Sequence, residues 1–343
     1  MDIVFGSWSV LTTNFLFVLY IALCSVVFSS VLHLANGQWR FQVRDIACSL
    51  WVLFALAGFL LAILLSNGEA TFQWLAHAHD EGNHLPGWHN YTFLVLRQIA
   101  GFAIVATLFS LFIKYQRLSE TDSSYKAQRR FRNIALLIPF FYISYASMVA
   151  WDFEMTMLPG WHSASYAFYH FQSNFHCFLA FFTILLFFLY QSGKLNKPFE
   201  SHIFNFMAQF MLAMTILYTY LYFTQYLIMW YGRLPGEMGR YFNMMYEGYA
   251  GLWWSFLVLK FIIPFVTLAI TPNRHNPVII VMVAFSIVIG TWIERYTWIA
   301  GSLQGEYHIP MTSLFDVAVT AVIFVAGWTA VRWNMRRKGL VSA

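Results

Sequence analysis

Charge is what this chain most lacks. Lys and Arg number 20 and Asp and Glu 15 among 343 residues, or 10%, where a water-soluble domain carries about 25%. A soluble fold of this length could not hide the matching excess of apolar surface, so the solvent is expected to be lipid. Cysteine is scarce as well. Cys24, Cys48 and Cys177 lie scattered in apolar runs without C-x-x-C spacing, which argues for packing rather than disulfides or thiolate metal sites. There is no Walker loop, no G-x-G-x-x-G and no sizeable polar domain. The start "MDIVFGSWS" has no basic n-region, so no cleavable signal peptide is expected. Runs such as "CFLAFFTILLFFLY" lack the alternating polarity of barrel strands.

What is abundant is apolar: 59% of residues are hydrophobic and 20% aromatic. A helix rising ~1.5 Å per residue needs about 20 apolar residues to cross the hydrocarbon core. Nine segments qualify, at 9–35, 45–66, 91–114, 134–151, 164–190, 205–231, 249–270, 277–300 and 312–332. The fold class is therefore all-α, a polytopic membrane protein with nine spans in a single integral membrane domain. If the spans alternate, one side receives fifteen Lys/Arg and the other only Arg233 and Arg240, while Arg97, Lys260 and Arg295 lie within spans. The positive-inside rule then puts the N-terminus outside and the C-terminus inside. The same distribution reads the net charge of +5 as topology, with no nucleic-acid partner. Trp8, Trp88, Trp151, Trp161, Trp230 and Trp253 fall near span ends, where interfacial anchors belong.

The outer loops are acidic and histidine-rich. Residues 67–90 hold His77, His79, Asp80, Glu81, His84 and His89, read here as a solvated docking loop rather than a metal site, since the spacing fits no closed zinc site. Residues 152–163 bring Asp152, Glu154 and His162; later loops add Glu237, Glu247, Glu306 and His308.

Ionisable groups inside the spans are costly unless partnered or hydrated. Counting from the outer ends, Arg97, His170 and Glu294 lie about 9 Å deep and Asp316 about 6 Å. They are expected to face one another around a single wet or ligand-filled chamber. On the fifth span, His162, Tyr166, His170 and Ser173 recur at helical spacing, while His176 shares another stripe with Tyr169 and Gln172. A polar face descending from the surface suits a quinone headgroup pocket or a proton path. Lys260 sits near mid-membrane, and Pro264 is expected to kink that helix.

The stretch "DFEMTMLPGWHS" resembles the D-[FW]-x-x-[ST]-x-x-P-G-W-H-[ST] segment of the integral membrane subunits of Alternative Complex III, within the NrfD/polysulfide-reductase membrane-subunit family. "FTQYLIMWYGRLPGE" and "IGTWIERYTWIAGSL" are similar to further helix ends of that family. The early "HLANGQWRFQVRDI" and "TFLVLRQI" look like the ActF type, whereas P-G-W-H and W-I-E-R-Y lean toward the ActC type. Gly160 and Lys260 depart from the ActF pattern. The resemblance implies two four-helix bundles, mapped to about 45–190 and 205–332, plus an extra helix, in a multi-pass subunit of the bacterial inner membrane. It implies quinone or quinol (menaquinone or ubiquinone) as ligand, with no haem or metal in this chain. The implied partners are an iron–sulfur subunit, multihaem and monohaem c-type cytochromes, a paralogous NrfD-like membrane subunit and lipids. The motif residues carried over are Asp152, His162, Glu294 and Arg295.

On this reading the chain belongs to a respiratory quinol:cytochrome c oxidoreductase and holds a quinol-binding or proton-conducting site near the outer face. His162 or His170 would accept a quinol proton with Asp152 as partner and outlet. Tyr166, Glu294, Arg295 and Arg97 would line the pocket; Asp316, His176 and Lys260 would carry protons. The alternatives are a structural anchor whose paralogue oxidises quinol, and a redox-coupled proton-translocating subunit. A haem b subunit using His162 and His176 is disfavoured, because no other span offers a facing histidine in its interior.

Overall fold

Lipid offers the backbone no hydrogen-bond partners, so apolar runs of this length satisfy their peptide groups internally as helices. The computed structural model describes residues 4–75, 87–233, 235–302 and 307–342. Among them are nine helices long and apolar enough to cross a membrane. They are α1 (Phe5–Leu34), α2 (Arg40–Ser66), α3 (Tyr91–Thr121), α4 (Tyr125–Phe153), α5 (Tyr166–Ser192), α6 (His202–Tyr231), α7 (Ala250–Ala269), α8 (Pro277–Ala300) and α9 (Leu314–Arg337). A short helix, Pro235–Tyr246, lies between α6 and α7. The nine expected spans are all present, and the chain is a multi-pass membrane protein.

Several ends follow from local chemistry. Asn90, Ser124, Asn276 and Ser313 each accept a backbone N–H of the first turn of α3, α4, α8 and α9, supplying partners those groups otherwise lack. Between α4 and α5, Gly160 at φ +84° permits a turn that a side chain would strain.

Helix α1 is the axis. Buried residues make up 89% of its most apolar window, against 22–28% for α3, α6, α7 and α9. It packs on α2, α4, α5, α8 and α9, most extensively on α2, and α5 in turn packs closely on α8. The helix that the resemblance leaves outside both bundles thus occupies the centre. Outward-facing Phe59, Phe140, Tyr220 and Phe324 are exposed, as a lipid-facing surface requires. Two expected interfacial anchors are corrected: Trp161 and Trp253 are core residues, 3% and 0% exposed, whereas Trp230 is 56% exposed.

In α7 the turn Val258–Ile262 is π-helical. Pro264 follows; its ring has no N–H and crowds the carbonyl four residues earlier, which is that of Lys260. The widened turn accommodates this, and Lys260 is fully buried within it. Gly290 of α8 supplies the room, since a Cβ there would stand 2.7 Å from Lys260 Cγ. The expected distortion near Pro264 thus takes the form of a π-turn one turn earlier.

The basic ends converge on one face. Arg44 of α2 pairs with Glu120 of α3 at 2.5 Å, Asn334 of α9 donates to the Ser49 carbonyl, and Leu195 bridges to Val341. The opposite face carries the short helix Pro235–Tyr246 and the starts of α1 and α9.

Candidate functional site

Two acidic residues near the end of α4 point different ways. Asp152 and Glu154 are two positions apart, about 200° around a helix, and each is fully buried. Asp152 turns toward α3. Arg97 Nη2 is 2.5 Å from its Oδ1, Gln98 donates to Oδ2 at 2.6 Å and Trp88 donates to Oδ1 at 2.9 Å. The Arg97 guanidinium also lies over the Trp88 ring at 4.0 Å. Both Asp152 oxygens and the Arg97 guanidinium find partners on α3, α4 and the loop before α3, while Gln98 Oε1 has none among the described residues.

Glu154 turns inward to α5 and α8. Arg295 Nη1 donates to its Oε2 at 2.6 Å, the Tyr166 hydroxyl donates to the same oxygen at 2.5 Å, and His170 Nε2 stands 3.2 Å from Oε1. Arg295 reaches a second carboxylate with Nη2, 2.9 Å from Glu294 Oε2. That oxygen also meets Lys260 Nζ at 2.5 Å and accepts from Ser173 at 2.7 Å. Glu294 Oε1 accepts from Tyr169 and, at 2.5 Å, from Tyr218. Two carboxylates and two cations are thereby enclosed with no net charge, the condition under which such a cluster survives away from water.

His170 extends the cluster to the central helix. Its Nδ1 is 3.2 Å from the Tyr20 hydroxyl, which also lies 3.2 Å from the Ala146 carbonyl. With the proton on Nε2 facing Glu154, Nδ1 accepts from Tyr20. With the proton on Nδ1, the Tyr20 oxygen accepts it and its own hydrogen turns to Ala146. The Nε2–H tautomer gives both ring nitrogens a partner, whereas the Nδ1–H tautomer sets a bare Nε2 against Glu154 Oε1, acceptor to acceptor, so a proton crosses the ring only together with protonation of the Glu154 carboxyl.

Above the cluster lies an aromatic seal. Trp298 donates to the Tyr169 hydroxyl at 3.1 Å, and Trp161 packs against Trp298 and Tyr166. Arg240 of the short helix Pro235–Tyr246 lies against both indoles at 4.6 and 5.0 Å. Its guanidinium donates to the carbonyls of Met155, Glu154 and Trp298. Burial lowers its pKa, yet carbonyl dipoles and ring faces on every side hold the cation.

The ten sequence-derived residues therefore separate into groups, correcting the expected single chamber. His170, Tyr166, Glu294, Arg295 and Lys260 converge, joined by Ser173. Arg97 and Asp152 form their own closed pair. Asp316 belongs elsewhere: His308 Nε2 is 2.7 Å from Oδ2 and Ser313 donates to Oδ1 at 2.5 Å, so it ties the start of α9 to the loop before it. His176 is buried beside Thr215 at 3.1 Å, with Nδ1 unpartnered. His162 is off the helix, because α5 begins only at Tyr166. Its side chain is 77% exposed and 3.6 Å from Glu237, outside the aromatic seal and apart from Asp152. His77, His79, Asp80, Glu81, His84 and Glu306 lie outside the described residues.

Sequence reasoning overlooked Glu154, Arg240 and the tyrosines 20, 169 and 218 as one network. Glu154 and Arg240 fell in segments read as loops. Their signal was chemical: each is a charge in a short, largely apolar, aromatic and methionine-rich segment, DFEMTMLPGW and EMGRYFNMMY. Among the described residues no cluster of three or more His, Cys, Asp or Glu is placed to hold a metal ion. Neither a family model nor a curated protein matches the chain.

Proposed function

We propose that this chain is a membrane subunit of a quinol:cytochrome c oxidoreductase, and that its buried network conducts protons coupled to quinol oxidation at a paralogous subunit. The observation that carries this is the run of ionisable and phenolic side chains Tyr20–His170–Glu154–Arg295–Glu294–Lys260, each within 3.2 Å of the next, linking α1, α5, α4, α8 and α7. Titratable groups in direct contact can pass a proton by small shifts in donor and acceptor, provided each intermediate charge has a compensating neighbour. Here every carboxylate has one.

The geometry favours conduction over quinol binding in this chain. All six side chains are buried, at 2% exposure or less, and their polar atoms are largely engaged with one another. A quinone headgroup would have to break those contacts and part the Trp161–Trp298–Arg240 seal. Quinol, the iron–sulfur subunit, the cytochromes and the paralogous subunit enter this reading from the motif resemblance.

In it, His170 and Glu154 exchange a proton at the outer end. Arg295 keeps its own protons and balances whichever carboxylate is ionised, so the transfer from Glu154 to Glu294 runs through water entering between them, and Glu294 then exchanges the proton with Lys260. The test uses the complex purified from membranes and reconstituted in liposomes. Glu294→Gln should leave subunit composition and uncoupled quinol-driven cytochrome c reduction intact while lowering the proton-to-electron ratio. An unchanged ratio rejects conduction. Loss of quinol oxidation with intact assembly points to a quinol site instead, and purification without iron–sulfur and haem partners rejects the complex.

A further inference from the structure

A cavity opens on the basic face and shares no lining residue with the buried network. It occupies about 870 Å³ between the ends of α2, α3 and α9 and the α5–α6 connection. Its charged lining is Arg117, Lys197, Arg337 and Lys338 against Asp45 and Glu120. Both carboxylates already have partners: Glu120 pairs with Arg44 at 2.5 Å, and Asp45 accepts from Gln116 at 3.1 Å. The cations are less well served. Among the described residues, Lys338 Nζ reaches only the Cys48 carbonyl, at 3.3 Å, and the Arg337 side chain has only the Trp333 ring, at 5.2 Å. The side chains of Arg117 and Lys197 make no hydrogen bond or ion pair among the described residues. Burial lowers the Lys338 pKa, and the Arg117 charge lowers it further, so like charges converge on one space.

We propose that this cavity binds the phosphate headgroup of an anionic phospholipid. A surplus of cations around a concave site calls for an anion, and basic pockets between the ends of transmembrane helices suit lipid headgroups. The apolar lining favours a lipid over a free phosphate. Phe41, Ile46, Ile113, Leu195 and Leu340 share the walls with the cations, and Phe41 is 54% exposed, so glycerol and upper acyl carbons find contacts beside the phosphate. The volume far exceeds that of one phosphate and suits a headgroup with its backbone.

A bound lipid would join the α2–α3 ends to the α9 tail, which are otherwise linked by Asn334 to Ser49 and Lys338 to Cys48. The site is independent of the proton-conduction reading. The experiment measures thermal unfolding of delipidated protein titrated with phosphatidylglycerol, phosphatidylcholine or inorganic phosphate. Phosphatidylglycerol should stabilise most. Arg117→Gln and Arg337→Gln should each weaken its apparent affinity by roughly fivefold, and Arg130→Gln, outside the cavity, much less. Equal stabilisation by phosphatidylcholine, or equal effects of all three substitutions, overturns the site. Equal stabilisation by inorganic phosphate overturns the lipid as ligand. If a substituted protein fails to fold, the three titrations of the unsubstituted protein still decide.

Discussion

Arg295 Nη1 lies 2.6 Å from Glu154 Oε2 across 141 positions of chain, fixing the end of α4 to the middle of the protein. The same guanidinium reaches Glu294. One planar cation thus serves two carboxylates, which a lysine ammonium on a flexible stem cannot reproduce. Arg295→Lys keeps the charge but loses the second charged hydrogen bond of the fork, and should therefore cost about 1.5–3 kcal/mol. Thermal unfolding in detergent measures it, and a loss under about 1 kcal/mol would show that the fork geometry is dispensable.

Lys260 and Glu294 form a pair whose charges depend on each other. Lys260→Met leaves a buried carboxylate with one fewer cation and should be more destabilising than the double change Lys260→Met with Glu294→Gln. The coupling in a double-mutant cycle should be about 1–3 kcal/mol. Independent, additive effects would contradict the 2.5 Å contact.

Gly290 faces the Lys260 stem. The Cβ of an alanine there would lie 2.7 Å from Lys260 Cγ and 2.9 Å from Leu259 Cβ, closer than real contacts allow. Gly290→Ala should destabilise by about 1–3 kcal/mol through overpacking and lower the proton-to-electron ratio by displacing Lys260. Retention of both properties would show that the π-turn relaxes freely.

His162→Ala should be silent in proton yield and within about 0.5 kcal/mol in stability, as expected at an exposed position. Asp152→Asn should destabilise by breaking the buried Arg97 pair, with an effect additive to that of Glu294→Gln, since the two share no partner. A loss of proton yield in His162→Ala would restore the surface histidine as the proton acceptor.

His89 sets a pH dependence outside the spans. Burial lowers its pKa below the ordinary 6.5, and its Nε2 lies 3.1 Å from the Thr156 carbonyl. The unfolded chain therefore binds this proton more readily than the fold does. Above 6.5 the residue contributes no pH dependence; below it, protonation favours unfolding progressively toward the folded-state pKa. Melting curves between pH 7.5 and about 5 should fall more steeply for the native protein than for His89→Gln.

The nine helices and the segregation of basic residues were legible because length, hydropathy and charge counts are local properties. Glu294, Arg295, Lys260 and His170 were legible as ionisable groups within apolar runs. Their partners were not. Glu154 caps α4 and Arg240 lies on a short helix, so neither interrupts a long apolar run, and only packing shows them buried. His162 was misplaced because helical spacing was extended through a turn where the helix had not begun. Asp316 was misread because depth alone was counted. The preceding "SLFD" was the overlooked signal, an S-x-x-D pattern that begins a helix.

Protonation of the buried carboxylates during turnover is the most direct measure. Redox-difference infrared spectroscopy of the intact complex follows the carboxyl stretching band and its shift in deuterated water. Proton conduction predicts a redox-linked carboxyl signal that is lost in Glu154→Gln or Glu294→Gln while electron transfer persists. A spectrum with no such signal, or one untouched by both substitutions, would mean that the network holds helices together and carries no protons.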